Sequence, residues 1–357
     1  MIKYLGSKRR LVPALARVAE AAGTRTALDL FTGTTRVAQA LKQLGAQVTA
    51  VDTARYAEVF ARCYVETDAA GVDLDEVADE IARLDALLGR EGYVTETFCR
   101  QSRFFTPVNG ARIDAIRDEI AARHAGSAIE PILLTSLIEA ADRVDSTTGV
   151  QMAYLKRWAP RALQPLRMRV PTLLRGRGRA LRGDAVELAG RLGSFDLAYI
   201  DPPYNQHRYF TNYHVWETLV AWDEPAHYGI ACKRADARDP STRSPFNSRR
   251  TMPGALASVI SAVDAELVVV SYNDESWLGV EDLVEMCGAG GRHVEVLAFD
   301  SRRYVGALIG IHNPKGERVG SVSHVRNTEL VVLAGPRDLV QRVSPKVTVE
   351  PLTVAVR

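Results

Sequence analysis

Two short apolar segments on either side of a helical pattern constrain the fold more than any other feature of this sequence. The first, residues 26–31, ends at the turn Thr32-Gly33-Thr34, and the second, residues 47–52, ends in a carboxylate. Between them, apolar residues recur at helical spacing until Gly45 stops the pattern. A strand, a helix and a second strand in this order predict a βαβ unit of the kind that binds nucleotides.

This alternation stops after residue 52 and returns in the second half of the chain. Residues 54–174 have mostly helical patterns broken by prolines, with the clearest amphipathic helices at 113–122 and 132–144. Strand-like segments return at 180–184, 195–201, 266–272, 293–299 and 329–334. We therefore predict one α/β domain of about seven strands, made of residues 1–53 and 180–335, with a helical insertion over 54–179. The tail, 336–357, has no clear pattern.

Composition excludes several classes of protein. The formal net charge is +2, so overall charge does not itself indicate a nucleic-acid partner. The four cysteines are scattered without a C-x-x-C pair, which predicts neither a metal site nor a disulfide framework and fits a reducing cytoplasm. No apolar run approaches the ~18 residues of a membrane helix, and the N-terminus lacks a signal-peptide pattern. We expect a cytoplasmic protein that does not enter a membrane.

The motif Asp201-Pro202-Pro203-Tyr204 follows an apolar strand directly, at the position where open α/β sheets carry catalytic groups. These residue types suit methylation of the exocyclic amine of a base, a poor nucleophile because its lone pair is delocalised into the ring. The Asp201 carboxylate and a rigidly placed Pro202 carbonyl could draw the nitrogen toward a tetrahedral geometry. Tyr204 offers an aromatic face to a base lifted from its stack. Taken alone, the motif could also be a proline-rich turn.

At this point the chain resembles the Dam-like DNA adenine methyltransferases. That family has a D-P-P-Y motif after a strand, an N-terminal K-[YW]-x-G-[GS]-K motif and a D-x-F-x-G-x-G cofactor loop. Lys3-Tyr4-Leu5-Gly6-Ser7-Lys8 matches the N-terminal motif fully, and residues 29–35 match the loop except that Thr35 replaces its second glycine. Gly183-Asp184, seventeen residues before Asp201, is similar to the family's adenine-binding element. The order of the motifs is the family's alpha arrangement.

The resemblance covers roughly residues 1–335, loosely in the insertion. It implies a Rossmann-like, S-adenosylmethionine-dependent methyltransferase that methylates N6 of an adenine flipped out of double-stranded DNA, with the insertion recognising the target. It implies that Asp201, Pro202, Pro203 and Tyr204 act on the base. It places the cofactor against Tyr4, Lys8, Asp29, Phe31, Gly33, Asp52 and Asp184, with Lys8 at the methionine end.

Two of the cofactor assignments have simpler alternatives, and one expected contact is missing. Asp52 ends a strand where dinucleotide sites use an acid to grip ribose hydroxyls, although it could be a plain surface carboxylate. Asp184 could instead cap a helix that begins at Ala185. Relatives often have Phe at the position of Ala185, so a stacking partner for the cofactor adenine must come from elsewhere.

The charge distribution points to nucleic acid. Residues 146–183 contain no Asp or Glu, although the chain has 43 acidic residues, and nine Lys or Arg lie there. Such a strip attracts a phosphate backbone, although a solvated basic face would have the same composition. The candidate DNA contacts in the strip are Lys156, Arg157, Arg161, Arg167, Arg169, Arg175 and Arg177. A second group, His207, Arg208 and Tyr209, follows the catalytic motif, and a mobile basic loop is expected at 233–250.

Three alternatives remain open on the sequence alone. Cytosine-N4 methylation needs the same amine chemistry, and Asp at the first motif position favours adenine by family resemblance. An adenine in RNA is a second possible substrate. A DNA-binding protein that has lost activity is a third, which the intact motif argues against. The sequence does not specify the recognised DNA site or whether a cognate restriction endonuclease is a partner.

Overall fold

The computed structural model describes residues 2–6, 8–204, 206, 208–274, 276–302, 311–312, 318–320 and 326–347. Its centre is a seven-stranded sheet, so the predicted α/β architecture and strand number are confirmed. The strands are β1 Thr26–Asp29, β2 Gln47–Asp52, β3 Gly178–Arg182, β4 Ser194–Ile200, β5 Asp264–Asn273, β6 His293–Arg302 and β7 Arg326–Gly335.

The strand order is β3-β2-β1-β4-β5-β7-β6. Strands β1 to β5 are mutually parallel where they pair, and β7 runs antiparallel between β5 and β6. The chain leaves β1 toward β2 and β3 on one side and returns through β4 on the other. The carboxyl ends of β1 and β4 therefore form the topological switch point where open α/β sheets bind ligands.

Twelve α-helices accompany the sheet in the described part of the chain. They are α1 Val12–Ala22, α2 Arg36–Gln43, α3 Arg55–Ala61, α4 Leu74–Asp85, α5 Pro107–His124, α6 Glu130–Arg143, α7 Ala185–Leu188, α8 Tyr209–Asn212, α9 His214–Ala221, α10 Met252–Ala262, α11 Val280–Gly288 and α12 Arg337–Val343. Helices α1, α2 and α12 bury their apolar sides on one face of the sheet, and α7, α10 and α11 cover the other. Residues 348–357 of the expected tail lie outside the described residues.

The first helix of the predicted insertion packs against the sheet on one side and against the other inserted helices on the opposite side. Helix α3 continues through a π-helical turn, Arg62–Glu66, and its Ala61 and Val65 pack with the sheet residues. Its Tyr56 and Phe60 face the opposite way, into a separate core formed with helices α4, α5, α6 and α9. This second apolar core joins the inserted helices to the helix that follows the D-P-P-Y motif.

Buried Arg117 closes the contact between the insertion and α9. Its guanidinium donates to the backbone carbonyls of Leu219 and Val220, at 2.6 and 3.0 Å, where α9 ends without intrahelical partners for its last carbonyls. It also lies over the ring of Trp222, 5.2 Å from the centroid. Burial lowers the pKa of Arg117 to about 10, so the guanidinium still carries its charge at neutral pH.

The expectation of helices up to residue 174 is wrong beyond α6. From 144 to 177 the chain is irregular, apart from one 3₁₀ turn at Pro160–Leu163. Side chains of the preceding helices accept hydrogen bonds from the backbone of this segment. Asn109 accepts from the N–H of Leu166 at 2.9 Å, and Asp85 accepts from the N–H of Met168 at 2.9 Å. Because these side chains replace helical hydrogen bonds, the segment is held in an extended path over α4, α5 and α6.

Within the described residues, no helix is both long and apolar enough to cross a membrane. All four cysteines are buried with free thiols.

Candidate active site

Four carboxylates predicted from separate motifs meet at the carboxyl edge of the sheet. Asp29 ends β1, Asp52 ends β2, Asp184 follows β3 and Asp201 follows β4. A pocket at this edge is lined by ten of the predicted site residues: Tyr4, Phe31, Asp52, Asp184, Asp201, Pro202, Pro203, Tyr204, Arg208 and Tyr209. Lys8, Asp29 and Gly33 lie next to this lining. The order of the strands thus brings together residues that are as far apart in sequence as Tyr4 and Tyr209.

Lys8 is the immediate partner of Asp201. Its Nζ lies 3.1 Å from Asp201 Oδ1 and 3.1 Å from Glu329 Oε2, and its side chain is only 6% exposed. The same ammonium lies 5.3 Å from the ring centroid of Tyr204. Burial, which Lys8 opposes and the Glu329 charge reinforces, raises the pKa of Asp201 to about 6. The pKa of Lys8 is held well above its usual value, so the residue stays an ammonium.

Residues 2–6 and Lys8, which carry most of the N-terminal motif, form a strap between the insertion and the sheet. At one end Lys3 pairs with Asp142 of α6 at 2.9 Å, and at the other Lys8 pairs with Asp201. Gly6 has φ +74°, and a Cβ there would meet the Tyr209 hydroxyl at 3.1 Å. The glycine of this motif is therefore required by both the left-handed backbone and the close approach of Tyr209.

Tyr4 lies at the centre of an aromatic stack. Its ring lies over Tyr213 at 4.7 Å and Tyr209 at 5.3 Å between centroids. The Tyr213 hydroxyl accepts from the backbone N–H of Leu5 at 2.6 Å. Tyr213 is 1% exposed and was not among the predicted site residues, although its position in an aromatic run after the D-P-P-Y motif was visible in the sequence.

Asp52 holds the loop that follows β1. One carboxylate oxygen accepts from the N–H of Gly33 at 2.9 Å, and the other accepts from the N–H of Ala54 at 3.0 Å. Burial raises the pKa of Asp52, while these backbone donors lower it. Asp52 is therefore not a plain surface carboxylate, because it links the β1 loop to the start of α3 and still lines the pocket.

Two threonines, Thr32 and Thr35, lie in the loop that follows Asp29. The Thr32 hydroxyl donates to Asp29 Oδ2 at 2.9 Å, yet burial raises the pKa of Asp29 to about 7. Thr35, which replaces the second glycine of the family loop, has φ +60° and is fully buried. Its hydroxyl donates to the Thr34 carbonyl and accepts from Gln39, at 2.7 and 2.8 Å. These contacts hold a threonine in a backbone region that glycine adopts without strain.

Asp184 does cap α7, because its side chain accepts from the N–H of Val186 at 2.7 Å, and it lines the pocket as well. Next to it, a distant loop brings an aromatic ring into the same pocket lining as Ala185. Phe246 is 1% exposed, packs with Ala185 and meets Phe31 edge-on at 5.0 Å. Its position in a polar, arginine-rich segment gave little reason to predict a pocket residue there.

The loop expected to be mobile is tied down at its start. Arg234 is buried, and its guanidinium pairs with Asp223 and Asp236, each at 2.7 Å. Arg208 donates to the Thr242 hydroxyl at 2.9 Å and so fixes the same loop over the pocket. The loop contributes Thr242, Ser244, Phe246 and Asn247 to the lining. Among the candidates, His207 lies outside the described residues.

The basic strip divides into bound and exposed residues. Arg161 pairs with buried Asp145 at 2.7 Å and Arg167 pairs with Asp85 at 3.2 Å, although Arg167 remains 61% exposed. The Arg161 pair joins two parts of the irregular segment, and the Arg167 pair holds that segment against the end of α4. The candidates on the exposed surface are Lys156, Arg157, Arg167, Arg169, Arg175 and Arg177. In the described part of the chain, no group of three or more His, Cys, Asp or Glu could hold a metal.

This sheet order, with acidic residues at the switch point and a D-P-P-Y motif after β4, defines an S-adenosylmethionine-dependent methyltransferase of amino groups. The chain belongs to the D12 class N6 adenine-specific DNA methyltransferases, whose family model matches residues 4–286. It therefore methylates adenine N6 in DNA at specific sites with S-adenosylmethionine as cofactor. Membership decides against cytosine-N4 methylation, an RNA substrate and a DNA-binding protein without activity.

Several type II methylases are similar to the chain. The type II methyltransferase M.NlaIII of Neisseria lactamica is 28% identical over 339 residues, which cover 91% of this chain and 98% of that protein. Type II methyltransferase M.CviAII of Paramecium bursaria Chlorella virus 1 is 29% identical, covering 67% of this chain and 71% of its own length. The modification methylase StsI of Streptococcus sanguinis is 27% identical over 80% of this chain, which spans about half of that protein (46%).

Proposed function

We propose that the pocket at the carboxyl edge of the sheet receives a target adenine flipped out of the DNA duplex, between Tyr204 and the Asp201 carboxylate. The observation that carries this proposal is the buried Lys8–Asp201 pair at 3.1 Å, directly after β4. An adenine inside a duplex cannot bring its amine to a carboxylate that is recessed beside the sheet, and so it must leave its stack. Tyr204 meets Tyr272 edge-on at 5.3 Å, which fixes the ring that would face the base.

The residues on the other side of the pocket fit S-adenosylmethionine. Asp52 presents a carboxylate suited to ribose hydroxyls, and Gly33 leaves the loop open where a Cβ would strike Tyr4. Phe31 and Phe246 offer apolar surface beside Asp184 for the adenine of the cofactor. When bound, the cofactor supplies an electrophilic methyl group on a sulfonium. Asp29 would act indirectly, by shaping the loop that ends in Gly33.

Lys8 receives a different role from the one suggested by the family resemblance. Its ammonium lies between Asp201 and Glu329, and we therefore assign it to the catalytic carboxylate and not to the methionine end of the cofactor. The positive charge favours the ionised form of Asp201, which otherwise would be protonated more readily because it is buried. An ionised carboxylate is the form that can accept a hydrogen bond from an amine.

The chemistry of the chain's own residues follows from this arrangement. Asp201 accepts one hydrogen of the exocyclic amine and the Pro202 carbonyl accepts the other, so that nitrogen lone-pair density moves out of the ring. The rigid backbone at Pro202 and Pro203 keeps the acceptors in place without reorganisation. Closure of the pocket by the loop that carries Phe246 excludes water and holds the reacting groups in line.

The exposed basic residues of the strip supply a path for the DNA backbone, and the helical insertion is the element that recognises the target. In this proposal Arg161 positions the strip through Asp145, whereas Lys156, Arg157, Arg169, Arg175 and Arg177 neutralise phosphates. The relatives named type II methyltransferases support a further part of the proposal, that the enzyme protects DNA against a cognate restriction endonuclease. We also propose that it acts in the cytoplasm.

The variant Asp201→Asn tests the assigned chemistry. The amide keeps the shape of the side chain but can no longer accept as a charged group, and the methylation rate should fall at least about 100-fold. Affinity for S-adenosylhomocysteine should stay within about two-fold, since Asp201 acts on the acceptor. Asp338→Asn, in the first turn of α12, is the matched control. A variant that retains more than about a hundredth of the wild-type rate would show that Asp201 does not have this role.

A further inference from the structure

Glu329 adds a third charged group, beside Lys8 and Asp201, at the catalytic edge of the sheet. It lies on β7, which runs antiparallel to β1, β4 and β5. Because β7 is antiparallel, its beginning lies where β4 and β5 end, and Glu329 pairs in register with Asn273 near the end of β5. Glu329 Oε2 is 3.1 Å from Lys8 Nζ, and its side chain is 17% exposed. The residue lies beyond the region that matches the family model, 4–286.

The charges of this cluster do not cancel. One ammonium lies between two carboxylates at equal distances of 3.1 Å, and the Tyr204 ring covers it. If Lys8 had Asp201 as its sole anionic partner, it would bind more tightly to the very lone pairs that the adenine amine needs. A second carboxylate shares the three N–H donors of Lys8 and repels Asp201, so the net electrostatic hold on the Asp201 carboxylate is weaker.

We infer that Glu329 is a positioning residue for methyl transfer: it anchors the Lys8 ammonium so that Asp201 keeps a lone pair free for the amine of the target adenine. This inference depends on the proposed function of Asp201. Glu329 itself touches neither the base nor the cofactor in this scheme. Its effect on the reaction passes through Lys8.

Other ionisable groups also face Asp201, and they stay unchanged when Glu329 is replaced. Lys8 comes from the N-terminal strap, Tyr199 from β4, Asp29 from β1, Tyr204 from the motif itself and Tyr209 from α8. The charge of Glu329 adds to the burial that raises the pKa of Asp201 to about 6. Replacing Glu329 by a neutral isostere should therefore move the titration of Asp201 toward lower pH.

The experiment compares Glu329→Gln with wild type in rates of DNA methylation from about pH 5 to 9. The acidic limb of kcat/KM should move down by about half a unit to one unit, because a neighbouring negative charge is removed. Above the limb, kcat should fall about ten-fold, since Lys8 then holds Asp201 more tightly, while KM for DNA and affinity for S-adenosylhomocysteine stay within about two-fold. Glu295→Gln, on β6 at the opposite end of the sheet, is the control and should leave the profile unchanged.

Four outcomes would overturn this role. An acidic limb that stays in place, even with lower thermal stability, would leave Glu329 with a structural function alone. A ten-fold loss of affinity for S-adenosylhomocysteine would reassign it to the cofactor site. If Asp201→Asn is inactive while Glu329→Gln behaves as wild type, the role of Glu329 is refuted and the proposed function of Asp201 stands. If Asp201→Asn is active, both the role of Glu329 and the proposed function of Asp201 are refuted.

Discussion

The ring of Tyr4 lies directly on the backbone of Gly33. A Cβ atom at residue 33 would be 3.0 Å from the nearest ring carbon, and Gly33 has φ +49°. Tyr4 in turn is stacked on Tyr213, and Gly33 donates to Asp52. The strap, the loop after β1 and the segment after the D-P-P-Y motif are thus packed as one unit around the pocket.

Replacing Gly33 by Ala should therefore disturb more than the local backbone. Gly45, which also has a left-handed backbone (φ +90°) but no atom within 4 Å of its Cβ position, provides a matched comparison. Gly45→Ala should cost about 1 kcal/mol of stability from backbone strain alone. Gly33→Ala should cost more and should lower affinity for S-adenosylhomocysteine at least about ten-fold, because Tyr4 must move. Thermal unfolding and calorimetry measure both, and equal effects at the two positions would refute a special role for the packing of Tyr4 on Gly33.

The carboxylates at the ends of β2 and β3 should determine cofactor affinity. Asp52→Asn and Asp184→Asn keep the side-chain shape but remove the charge, and each should weaken binding of S-adenosylhomocysteine about ten-fold or more, as expected when a charge-assisted hydrogen bond is removed. Asp264→Asn, at the start of β5 on the opposite edge of the sheet, should bind normally. Isothermal titration calorimetry would test this, and wild-type affinity in both site variants would remove these residues from the cofactor site.

The sheet and the motifs on it could be predicted because each strand is a short apolar run that ends in a turn or carboxylate. The order of these runs predicted which strand ends would meet, and Asp52, Asp184 and Asp201 do line one pocket. The irregular segment after α6 could not be predicted, because the groups that hold it are distant in sequence: Asn109 lies 57 residues before Leu166 and has the pattern of an ordinary helix residue.

Other site residues were missed for a related reason. Glu329 follows no motif, and it reaches Lys8 because β7 enters the sheet antiparallel, a pairing that local sequence does not indicate. Phe246 lies in a loop whose composition suggested mobility, yet Arg208 and Arg234 fix that loop through Thr242, Asp223 and Asp236. Long-range ion pairs and hydrogen bonds of this kind leave no periodic pattern in a sequence.

Buried Glu217 should make stability depend on pH near neutrality. It accepts from the N–H of Arg55 at 2.8 Å, and burial raises its pKa from 4.5 to about 7. The folded state therefore holds a proton on this carboxyl that the unfolded state releases between pH 4.5 and 7, so its contribution to stability falls as pH rises through this interval. At pH 8 the free energy of unfolding of Glu217→Gln should be about 2 kcal/mol higher than that of wild type, because the variant does not bury a charge.

The same comparison at pH 4.5 is the internal control for Glu217. There the wild-type carboxyl is protonated in the folded state, and the difference between variant and wild type should shrink toward zero. Urea unfolding at the two pH values measures both free energies. A difference that does not depend on pH would mean that Glu217 stays ionised in the folded protein.

The exposed arginines of the strip should control the salt dependence of DNA binding. Replacing Arg157, Arg169, Arg175 and Arg177 with Ala should flatten the log–log slope by about 0.9 for each phosphate that is no longer neutralised, and affinity should fall similarly for cognate and unrelated duplexes. A control set replaces four arginines that already face carboxylates: Arg62, Arg90, Arg100 and Arg123. Identical slopes in well-folded proteins of both sets would show that the strip does not hold DNA.

The position of β7 between β5 and β6 also has a consequence for how the enzyme is made. During synthesis the D-P-P-Y motif leaves the ribosome more than a hundred residues before Glu329. One edge of β5 therefore stays unpaired until β7 has been synthesised and pairs with it. A nascent chain that ends before Glu329 therefore cannot hold Lys8 between its two carboxylates. If Glu329 has the role inferred above, each new molecule would gain full methyltransferase activity only near the end of its synthesis, when β7 joins the sheet.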